Sequence, residues 1–415
     1  MITAVKGTQD NLFPEIGRWQ RVEAIARKVF HRYAFTEIRT PILEPTELFV
    51  RGIGDETDIV NKEMYTFADR KGRSVTMRPE NTAGVARAFV EHRLHDSPLH
   101  SRLFYIGPQF RYERPQKGRL RQFHQIGAEV LGDAAPGTDA ETIAMLVEFL
   151  GRAGVVGIEV VLNSVGCPNC RPVFVALLKD ALAPRSGELC GDCRRRLETN
   201  PLRVLDCKVP SCQPILDGAP AIADHLCEAC AAHHAGLKRI LGEMSVGFSE
   251  RARLVRGLDY YTRTVFEVTS SALGAQDALL GGGRYDGLLE QIGGPAMPGF
   301  GWALGVERLL MVIPPDPPGR LPWTYLAWMG EAAYGHALRV ARRLRVEGRV
   351  VVFEHAPRSF KSALKRADKM ACKAVLIIGD EEAASGTYTL KDLDTGEQSA
   401  LDEAALCDRL REMAP

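Results

Sequence analysis

The chain has 415 residues, 45% of them hydrophobic and 25% charged, and its 53 Lys and Arg residues nearly balance 52 Asp and Glu residues. This length fits two or three domains, the composition excludes a disordered or fibrous chain, and a net charge of +1 does not by itself indicate a nucleic-acid partner. Because no apolar stretch approaches the roughly 20 residues that span a bilayer and the N-terminus lacks a secretory signal, we expect a cytoplasmic protein.

The first part of the chain predicts an α+β domain with a largely antiparallel sheet and helices on one side of it. We expect helices over about Ile16–Tyr33 and Thr138–Ala153, and an extended segment over Phe35–Pro41. Strand-like runs lie at Arg102–Tyr112, Gln122–Leu131, Ile158–Leu162 and Thr264–Thr269. Strands that follow one another along the chain favour antiparallel pairing.

The segment 110–125 predicts a hairpin, because strand-like residues flank a turn with a proline and a glycine. The base of this hairpin would place Arg111, Glu113 and Phe123 on one face. A guanidinium binds phosphate through two hydrogen bonds, a carboxylate helps to hold a metal–phosphate complex, and an aromatic ring stacks on a purine. An Arg–Glu pair beside an aromatic residue is also common on protein surfaces, so this segment alone leaves both interpretations open.

Residues 172–247 differ in composition from the sequence on either side and predict an insertion into the sheet domain. Eight of the ten cysteines lie in close pairs within this insertion or just before it. Nineteen residues separate the pair Cys167 and Cys170 from the pair Cys190 and Cys193, a spacing similar to that of zinc ribbons. We therefore predict that these four cysteines bind a structural zinc ion.

The other four cysteines of this region could supply a second tetrahedral set: Cys207, Cys212, Cys227 and Cys230. Cysteines without metal, or disulfides, are the alternatives, although disulfides are rare in cytosolic proteins. His233 and His234 could replace a cysteine ligand, but adjacent histidines on a helix usually face solvent. A metal here would be structural, because four cysteine ligands leave no open position for chemistry.

The segment 299–309 predicts a glycine-bearing strand that runs into a helix, with Arg308 near the start of that helix. Small residues in such a strand allow a nucleotide or another backbone to approach closely. Together with Arg111, this second arginine suggests two cations that flank a triphosphate. The sequence contains no Walker loop, and the glycines at 281–283 do not open a dinucleotide fingerprint, so the site differs from the common phosphate loops.

Prolines in the segment 314–320 predict an interdomain linker, because proline neither continues a helix nor donates to a strand ladder. We therefore expect one domain over residues 1–313 and a second over residues 321–415. The second domain alternates strand-like and helical patterns, which predicts an α/β fold. Its strand-like runs are 325–329, 350–353 and 374–379, and its helical runs are 333–346 and 359–370.

Two local runs of basic residues indicate a polyanionic partner. Residues 102–121 contain six basic residues and one acidic residue, and residues 339–369 contain ten basic and three acidic residues. Solvated helix faces would explain either run alone, but the two runs lie in different predicted domains.

Several of these segments resemble class II aminoacyl-tRNA synthetases. Residues 35–41, 110–125 and 299–309 are similar to motifs 1, 2 and 3 of that class. Leu254–Glu267, which contains Arg-Gly-Leu-Asp-Tyr-Tyr, and Gly281–Leu288 resemble the two signatures of the histidyl-tRNA synthetase family. Further segments similar to that family are 6–10, 77–80 and 362–368. The resemblance covers nearly the whole chain except the cysteine-rich insertion.

The resemblance implies a class II catalytic domain with a six-stranded antiparallel sheet, a C-terminal anticodon-binding domain, and a homodimer with Pro41 of motif 1 at its interface. It also implies a reaction in two steps that uses ATP and Mg²⁺. The carboxylate of L-histidine attacks the α-phosphate of ATP, which gives histidyl-adenylate and pyrophosphate. The histidyl group then passes to the 3′ end of histidine tRNA.

The resemblance also assigns roles to the residues that would bind ATP. Arg111 and Arg256 would stabilise the charge that develops on the α-phosphate, and Arg308 would hold the γ-phosphate. Phe123 would stack on the adenine, and Glu113 would orient the nucleotide or magnesium.

Histidine would be bound by a set of residues from the same motifs: Glu80, Thr82, Arg111, Gln125, Glu129, Arg256, Tyr260 and Tyr261. A neutral imidazole has one donor and one acceptor, so Glu129 and Tyr261 would satisfy the two ends of the ring. Glu80, Thr82 and Gln125 would surround the α-amino group. Asn81 replaces the glycine that the family commonly has at this position.

The resemblance also predicts where tRNA binds. The motif 2 loop carries residues suited to acceptor-stem phosphates and base edges: Arg114, Gln116, Lys117 and Arg119. Arg114 and Gln116 are candidates for reading the extra 5′ guanosine of histidine tRNA. The basic run at 339–369 would attract the anticodon end.

One alternative function is a non-catalytic paralogue that regulates ATP phosphoribosyltransferase in histidine biosynthesis. Such proteins typically lack the anticodon-binding domain and parts of the two signatures, whereas this sequence retains both. Another class II synthetase is disfavoured, because the Arg-Gly-Leu-Asp-Tyr-Tyr run is specific for the histidine enzymes.

Overall fold

The structure, a computed structural model of the chain, describes residues 1–54, 57–97, 99, 101–274, 278–315 and 319–413. The chain divides into two units, Met1–Pro314 and Pro315–Pro415. Residues 316–318 of the predicted linker lie outside the described residues. Within the described part of the chain, no helix has the length and apolar character needed to cross a membrane.

The first unit mixes helices and strands along its whole length. Its α-helices are α1 (Glu15–Arg32), α2 (Thr46–Ile53), α3 (Thr82–Glu91), α4 (Pro136–Arg152), α5 (Arg171–Leu182), α6 (Gly191–Thr199), α7 (Gln213–Leu216), α8 (Glu228–Glu243), α9 (Leu288–Gln291) and α10 (Val306–Val312). Its strands are β1 (Thr36–Glu37), β2 (Leu43–Pro45), β3 (Tyr65–Ala68), β4 (Ser74–Met77), β5 (Arg102–Phe110), β6 (Gln122–Leu131), β7 (Ile158–Ser164), β8 (Phe248–Glu250), β9 (Thr262–Ser270), β10 (Ala278–Arg284) and β11 (Gly299–Gly305). A π-helix covers Ile59–Glu63, and 3₁₀ helices cover Leu94–Asp96, Ala183–Glu188, Pro201–Asp206, Pro210–Cys212, Ile222–His225 and Ser271–Leu273.

An eight-stranded sheet forms the centre of this unit, in the order β1-β5-β6-β11-β10-β9-β7-β8. Its six inner strands pair antiparallel, which confirms the antiparallel sheet that the resemblance implies. The outer strands β1 and β8 are short and pair parallel with their neighbours. Phe110 lies opposite Gln122 in the β5–β6 pair, so the predicted hairpin is confirmed and residues 111–121 form its loop. A separate small sheet has the order β2-β4-β3.

Helices cover both faces of the large sheet, so the expectation of helices on one side is wrong. The reason is visible in β5, where Leu103 and Tyr105 are buried on one face and Phe104 is buried on the other. Since both faces of the strand are apolar, both must be covered. Helices α1, α4, α8 and α10 pack on the face of Phe104, and α3, α5, α6 and α9 pack on the face of Leu103 and Tyr105.

Helix α1 illustrates how the sequence pattern produces this packing. Its buried residues recur at helical spacing and are Trp19, Val22, Ala26, Val29 and Phe30. They form a single apolar face, and the Phe30 ring contacts the ring of Phe149 on α4 and the indole of Trp302 on β11. Both α1 and α4 lie within two residues of their predicted bounds.

The insertion predicted over residues 172–247 contains α5 to α8 and belongs to the first unit. Leu237 and Leu241 of α8 are buried in the core on the side of α4, whereas Phe174 and Leu178 of α5 are buried on the opposite face. The insertion therefore packs against the large sheet and contributes to the core on both of its faces.

The second unit is the predicted α/β domain. Its elements are β12 (Leu321–Met329), α11 (Glu331–Val346), β13 (Val350–Phe353), α12 (Phe360–Lys369), β14 (Cys372–Gly379), α13 (Asp380–Ser385), β15 (Thr387–Asp392), β16 (Gln398–Asp402) and α14 (Glu403–Glu412). The sheet order is β13-β12-β14-β15-β16, in which the first three strands are parallel and the last two are antiparallel. The parallel part and both of its helices are predicted from the sequence, whereas β15, β16, α13 and α14 are not.

Candidate active site

A cavity of about 820 Å³ lies over the inner strands β6, β9, β10 and β11. It contains nearly all the residues that the sequence analysis assigns to ATP and histidine. Those that line it are Glu80, Thr82, Arg111, Glu113, Phe123, Gln125, Arg256, Tyr260, Tyr261 and Arg308. Glu129 alone of the predicted set does not line the cavity and lies behind its wall.

Three arginines from distant parts of the sequence line this one cavity: Arg111, Arg256 and Arg308. Arg111 follows β5, Arg256 precedes β9, and Arg308 lies in the first turn of α10. The fold therefore brings together the three arginines that are predicted to bind ATP. Three permanent cations in one cavity favour a polyanionic ligand such as a nucleoside triphosphate.

Two contacts fix the guanidinium of Arg111. Its Nε donates a hydrogen bond to the carbonyl oxygen of Pro79 at 2.8 Å. Its central carbon lies 5.3 Å from the centroid of the Phe123 ring, a distance that allows a cation–π contact. The arginine and the aromatic ring predicted to act together are therefore neighbours in the structure.

Arg256 forms an ion pair with Glu267 of β9. The guanidinium lies directly over Gly281 of β10, where an added Cβ atom would collide with it. Only glycine leaves this space free, so the first glycine of the second signature sequence is required by the position of Arg256. The Nε atom of Arg256 is buried and has no hydrogen-bond partner among the described residues.

Arg308 is positioned by the start of α10. Its Nη2 donates to the carbonyl oxygen of Ala278 at 2.8 Å, which links the helix to the beginning of β10. The preceding residue, Glu307, accepts a hydrogen bond from the backbone N–H of His124 at 2.9 Å. These contacts attach the first turn of the helix to both β6 and β10.

Glu80 lies at the N-terminus of α3. Its carboxylate accepts hydrogen bonds from the backbone N–H groups of Thr82 at 2.7 Å and Ala83 at 2.9 Å. Burial raises the pKa of Glu80, while these two N–H groups act in the opposite direction. The hydrogen bonds fix the carboxyl group of Glu80 at the cavity wall.

Glu129 of β6 is fully buried behind the cavity and holds two hydroxyl groups. Thr82 donates to its Oε1 at 2.7 Å, and Tyr285 donates to its Oε2 at 2.6 Å. Burial raises the pKa of Glu129 to about 8, with a further contribution from the charge of Glu80. A Cβ atom on the neighbouring Gly301 would collide with this carboxylate, so the glycine gives Glu129 its space.

Polar atoms of Gln125, Tyr260 and Tyr261 complete this end of the cavity. The two tyrosine rings lie 4.7 Å apart, and burial raises the pKa of both hydroxyls, which keeps them protonated donors. The Oε1 atom of Gln125 is buried and has no hydrogen-bond partner among the described residues. An unpaired acceptor in a cavity that Glu80 also lines favours a ligand with an amino group.

Glu267 and Tyr285, which contact Arg256 and Glu129, are two site residues that are not predicted from the sequence. Both residues lie inside the two signature segments, so the signal that could have found them is present in the sequence. Their partners depend on strand register, which spacing along the chain does not reveal.

The family described as "Histidyl-tRNA synthetase" matches residues 7–181 and 215–309 of this chain. The chain belongs to the histidyl-tRNA synthetase family. The family described as "Anticodon binding domain" matches residues 311–413. This assignment confirms the resemblance and the class of the C-terminal domain.

The chain is similar over its full length to proteins named Histidine--tRNA ligase. The one from Solibacter usitatus is 52% identical over 411 residues, which cover 99% of each chain. The one from Geobacter metallireducens is 49% identical over 413 residues, which cover 99% of this chain and all of that protein. The crystal structure of apo histidyl-tRNA synthetase from S. aureus superposes with a TM-score of 0.82 at 35% identity, and covers 99% of this chain and 100% of that one.

Histidyl-tRNA synthetases are ATP-dependent aminoacyl-tRNA ligases, and the match includes both units of the chain. A regulatory paralogue typically lacks the anticodon-binding domain, whereas this chain matches that domain over residues 311–413 and matches the named ligases over 99% of its length. The comparisons therefore support the ligase and not the regulatory alternative.

The motif 2 loop of this family member extends from the cavity to the surface. Gln116 and Arg119 exchange two backbone hydrogen bonds that close its turn. The four residues predicted to contact tRNA are all exposed: Arg114, Gln116, Lys117 and Arg119. Within the loop, a guanidinium nitrogen of Arg119 lies 3.4 Å from the Glu113 carboxylate.

The structure corrects the predicted grouping of the cysteines. One cluster contains Cys167, Cys170, Cys227 and Cys230, and the other contains Cys190, Cys193, Cys207 and Cys212. The spacing that resembles a zinc ribbon does not group Cys170 with Cys190, because α5 lies between them in the chain. Its 12 residues carry the chain about 18 Å from Cys170 before Cys190 is reached.

The two adjacent histidines of α8 do not face solvent and are not part of either cysteine cluster. His233 is buried with its Nε2 at 2.9 Å from Asp139, and His234 is buried with its Nε2 at 2.8 Å from Glu250. They therefore attach the end of the insertion to α4 and to β8.

Proposed function

We propose that this chain charges histidine tRNA with L-histidine in two ATP-dependent steps. The observation that carries the proposal is the meeting of Arg111, Arg256 and Arg308 in one cavity with acceptors for an amino acid. Family membership supports the same reaction. We assign residues 1–313 to catalysis, 314–320 to the linker and 321–415 to anticodon binding.

In the first step, the carboxylate of histidine attacks the α-phosphorus of ATP and pyrophosphate leaves. Negative charge grows on the α-phosphate oxygens during the attack, so fixed cations stabilise the transition state more than the ground state. Arg111 and Arg256 are the cations that we assign to this role. Arg308 holds the γ-phosphate end, and Phe123 stacks on the adenine.

Glu113 would hold the Mg²⁺ that accompanies ATP. Protein sites for Mg²⁺ usually supply one or two carboxylates, and the phosphates and water supply the other ligands. Glu113 lines the cavity on the same hairpin as Arg111, which fits this pattern. The ion, when bound, neutralises phosphate charge.

Histidine is selected by groups at the other end of the cavity. Glu80 and Gln125 supply acceptors for the α-amino group, and Tyr261 supplies a polar group for the imidazole. Glu129 acts from behind the cavity wall, through the hydroxyls of Thr82 and Tyr285. An analogue without the ring nitrogens would leave buried partners unpaired. The site should therefore reject such an analogue by several orders of magnitude in kcat/KM.

In the second step, the histidyl group passes to the 3′ end of the tRNA. The acceptor stem is assigned to the exposed residues of the motif 2 loop, which are Arg114, Gln116, Lys117 and Arg119. Arg114 and Gln116 read the extra 5′ guanosine in this proposal. The basic run at 339–369 supplies attraction to the anticodon end, since phosphate contacts by Lys and Arg dominate affinity for RNA.

We also propose that two chains form a homodimer. Apolar side chains are exposed beside the motif 1 proline on the small sheet: Ile42 is 40% exposed, Leu43 is 50% exposed and Phe67 is 47% exposed. A cluster of this kind favours burial against a second copy. Light scattering should give the mass of a dimer, and Leu43→Glu should shift it towards the monomer.

The test of the activity is exchange of labelled pyrophosphate into ATP by the purified full chain. Exchange should require histidine and should not occur with other amino acids. Folded protein that shows no exchange would overturn the enzymatic proposal and favour a regulatory role. We propose a cytoplasmic location, since tRNA charging serves translation there.

A further inference from the structure

Eight cysteines of the insertion form two compact clusters, and each cluster joins two pairs that are distant in sequence. Cluster 1 is Cys167, Cys170, Cys227 and Cys230, and cluster 2 is Cys190, Cys193, Cys207 and Cys212. Within each cluster the four sulfur atoms all lie within 4.8 Å of one another. All eight thiols are free of disulfide bonds.

The spacing of the sulfur atoms in cluster 1 matches a tetrahedron around a metal ion. The Sγ atom of Cys167 lies 3.8 Å from that of Cys170 and 3.7 Å from that of Cys227, and the Cys170 and Cys230 sulfurs are 3.8 Å apart. A tetrahedron with Zn–S bonds of about 2.3 Å has edges of about 3.8 Å. A disulfide would require about 2.05 Å, so the cluster has the geometry of a metal site.

Cluster 2 has the same construction. The Sγ atoms of Cys190 and Cys207 lie 3.9 Å apart. Three of its sulfur atoms accept hydrogen bonds from backbone N–H groups. The N–H of Cys190 donates to the Sγ of Cys212 at 3.2 Å, and the N–H groups of Cys193 and Val209 donate to the Sγ atoms of Cys190 and Cys207, each at 3.4 Å. Donors of this kind stabilise thiolates, which are the form that binds metal.

Burial of cysteine as a small apolar residue does not explain this arrangement. Apolar packing would place thiols among aliphatic side chains, as it does for Cys372 and Cys407 in the second unit. Here each sulfur has three other sulfurs within 4.8 Å. Soft thiolate ligands in a closed tetrahedral set select Zn²⁺ and leave no open position.

We propose that each cluster binds one structural Zn²⁺ ion, and that the two ions together attach the insertion to the active-site cavity. Cluster 1 joins the end of β7 and the start of α5 to the start of α8. Cluster 2 joins the start of α6 to the 3₁₀ segments that follow it. The second half of this proposal, the effect on the cavity, rests on the proposed function.

Cluster 1 is linked to the histidine end of the cavity through Arg171, the residue after Cys170. The guanidinium of Arg171 donates to the carbonyl oxygens of Val165 at 3.0 Å and Gly166 at 3.2 Å, and also to that of Tyr261. A metal ion that fixes the start of α5 therefore fixes the backbone of Tyr261.

Cluster 2 is linked to the loop that carries Arg256. Cys207 lines the cavity with its neighbours Asp206 and Lys208. On either side of them, Asn200 donates to Asp259 at 2.9 Å, and Asp217 pairs with Arg253 at 3.2 Å. The segment held by cluster 2 thus contacts the Arg256 loop on both sides of the arginine.

Metal analysis of the reduced full chain, purified without chelators, tests the sites directly. We expect two zinc ions per chain, one in Cys207→Ser, one in Cys227→Ser, and two in the control Cys372→Ser. The double variant Cys207→Ser with Cys227→Ser decides the pairing. It should contain no zinc, because it breaks both clusters, whereas the grouping suggested by sequence spacing would leave one ion in place.

If the variants do not fold, cobalt substitution of the wild-type chain provides the test. Two Co²⁺ ions per chain with the charge-transfer absorption of tetrahedral thiolate sites would support the proposal. Wild-type protein with no zinc and no such absorption would overturn it, and so would one zinc ion in the double variant.

The link to the cavity is tested by pyrophosphate exchange in the same variants. We expect Cys207→Ser to lower the histidine-dependent exchange rate at least tenfold, with Cys372→Ser unchanged. A folded, zinc-depleted Cys207→Ser protein with the wild-type rate would overturn the link. If the wild-type chain itself shows no exchange, the proposed function fails while the zinc measurements still decide the metal sites.

Discussion

Arg256 and Glu267 form an ion pair inside the cavity, and Gly281 leaves the space in which the guanidinium lies. The pair holds the arginine in one direction before substrate arrives, so little reorganisation is needed when charge develops on phosphate. The buried Nε of the same arginine has no partner among the described residues, which leaves a donor for a ligand.

Arg256→Ala should slow the formation of histidyl-adenylate. Removal of one fixed donor to a developing oxyanion costs about 10²–10³ in rate. Arg256→Lys keeps the charge but loses the planar fork, so we expect a smaller loss. Rapid-quench single-turnover measurements give the rate, and thermal unfolding shows whether Glu267 without its partner destabilises the fold. A rate like that of the wild type for Arg256→Ala would contradict the assigned role.

Gly281→Ala should act on Arg256 without removing it. The added methyl group would displace the end of a flexible side chain, and the backbone of Gly281 has no left-handed conformation that would strain an alanine. We therefore expect a folded protein with adenylate formation slowed at least about tenfold, as expected when a catalytic group is misplaced.

Gly151→Ala is the matched control for Gly281→Ala, because its methyl group would have no neighbour within 4 Å. It should retain the wild-type rate. Equal rates for Gly281→Ala and Gly151→Ala would show that the position of the guanidinium over β10 does not matter for the reaction.

Much of the site is predicted from the sequence because the residues of each motif lie in one hairpin or in one strand–helix unit. Arg111 and Phe123 belong to one hairpin, so the pattern that predicts the hairpin also predicts that they are neighbours. Arg308 is predicted by a glycine-bearing strand that runs into a helix. That Arg256 joins them depends on the family resemblance, since its own surroundings in the sequence show only an arginine before a strand.

The remaining features depend on contacts that spacing does not encode. Cys170 and Cys190 are close in sequence but belong to different clusters, because α5 carries the chain away between them. Glu129 is predicted to contact histidine directly, yet it lies behind the wall and reaches the cavity only through the hydroxyls of Thr82 and Tyr285. Strand register decides such partners, and a single sequence contains little information about register.

Arg114→Ala and Gln116→Ala should separate the two steps of the reaction. Both side chains are exposed on the motif 2 loop, beyond the residues that line the ATP end of the cavity. Loss of a base contact costs about 1–3 kcal/mol, so aminoacylation of histidine tRNA should fall roughly tenfold or more. Histidine-dependent pyrophosphate exchange should stay within about twofold of the wild type, because it does not involve tRNA.

Lys28→Ala removes an exposed positive charge from α1 and controls for the change in charge. It should leave both activities unchanged. Equal losses of exchange and aminoacylation in Arg114→Ala would contradict the assignment of this residue to tRNA.

Glu129→Gln should make the stability of the protein less dependent on pH. The unfolded carboxyl ionises near its usual pKa of 4.5, whereas burial raises the pKa of the folded one to about 8. The contribution of the protonated carboxyl group to the free energy of unfolding is therefore fully present below pH 4.5, and it is lost as the pH rises to 8. Between these two pH values the release of one proton on unfolding lowers the free energy of unfolding by up to about 1.4 kcal/mol per pH unit.

The glutamine variant has no proton to lose. Its carbonyl oxygen keeps an acceptor for one of the two hydroxyls of Thr82 and Tyr285, and its NH2 group can donate to the oxygen of the other. Chemical unfolding of both proteins at several values between pH 5 and pH 8 gives the two slopes, and their difference isolates Glu129 from other titrating groups. The free energy of unfolding of the wild type should fall more steeply with rising pH than that of the variant. Parallel slopes would mean that Glu129 is already ionised in the folded protein, and its buried carboxylate would then need a cation that the two hydroxyls do not supply.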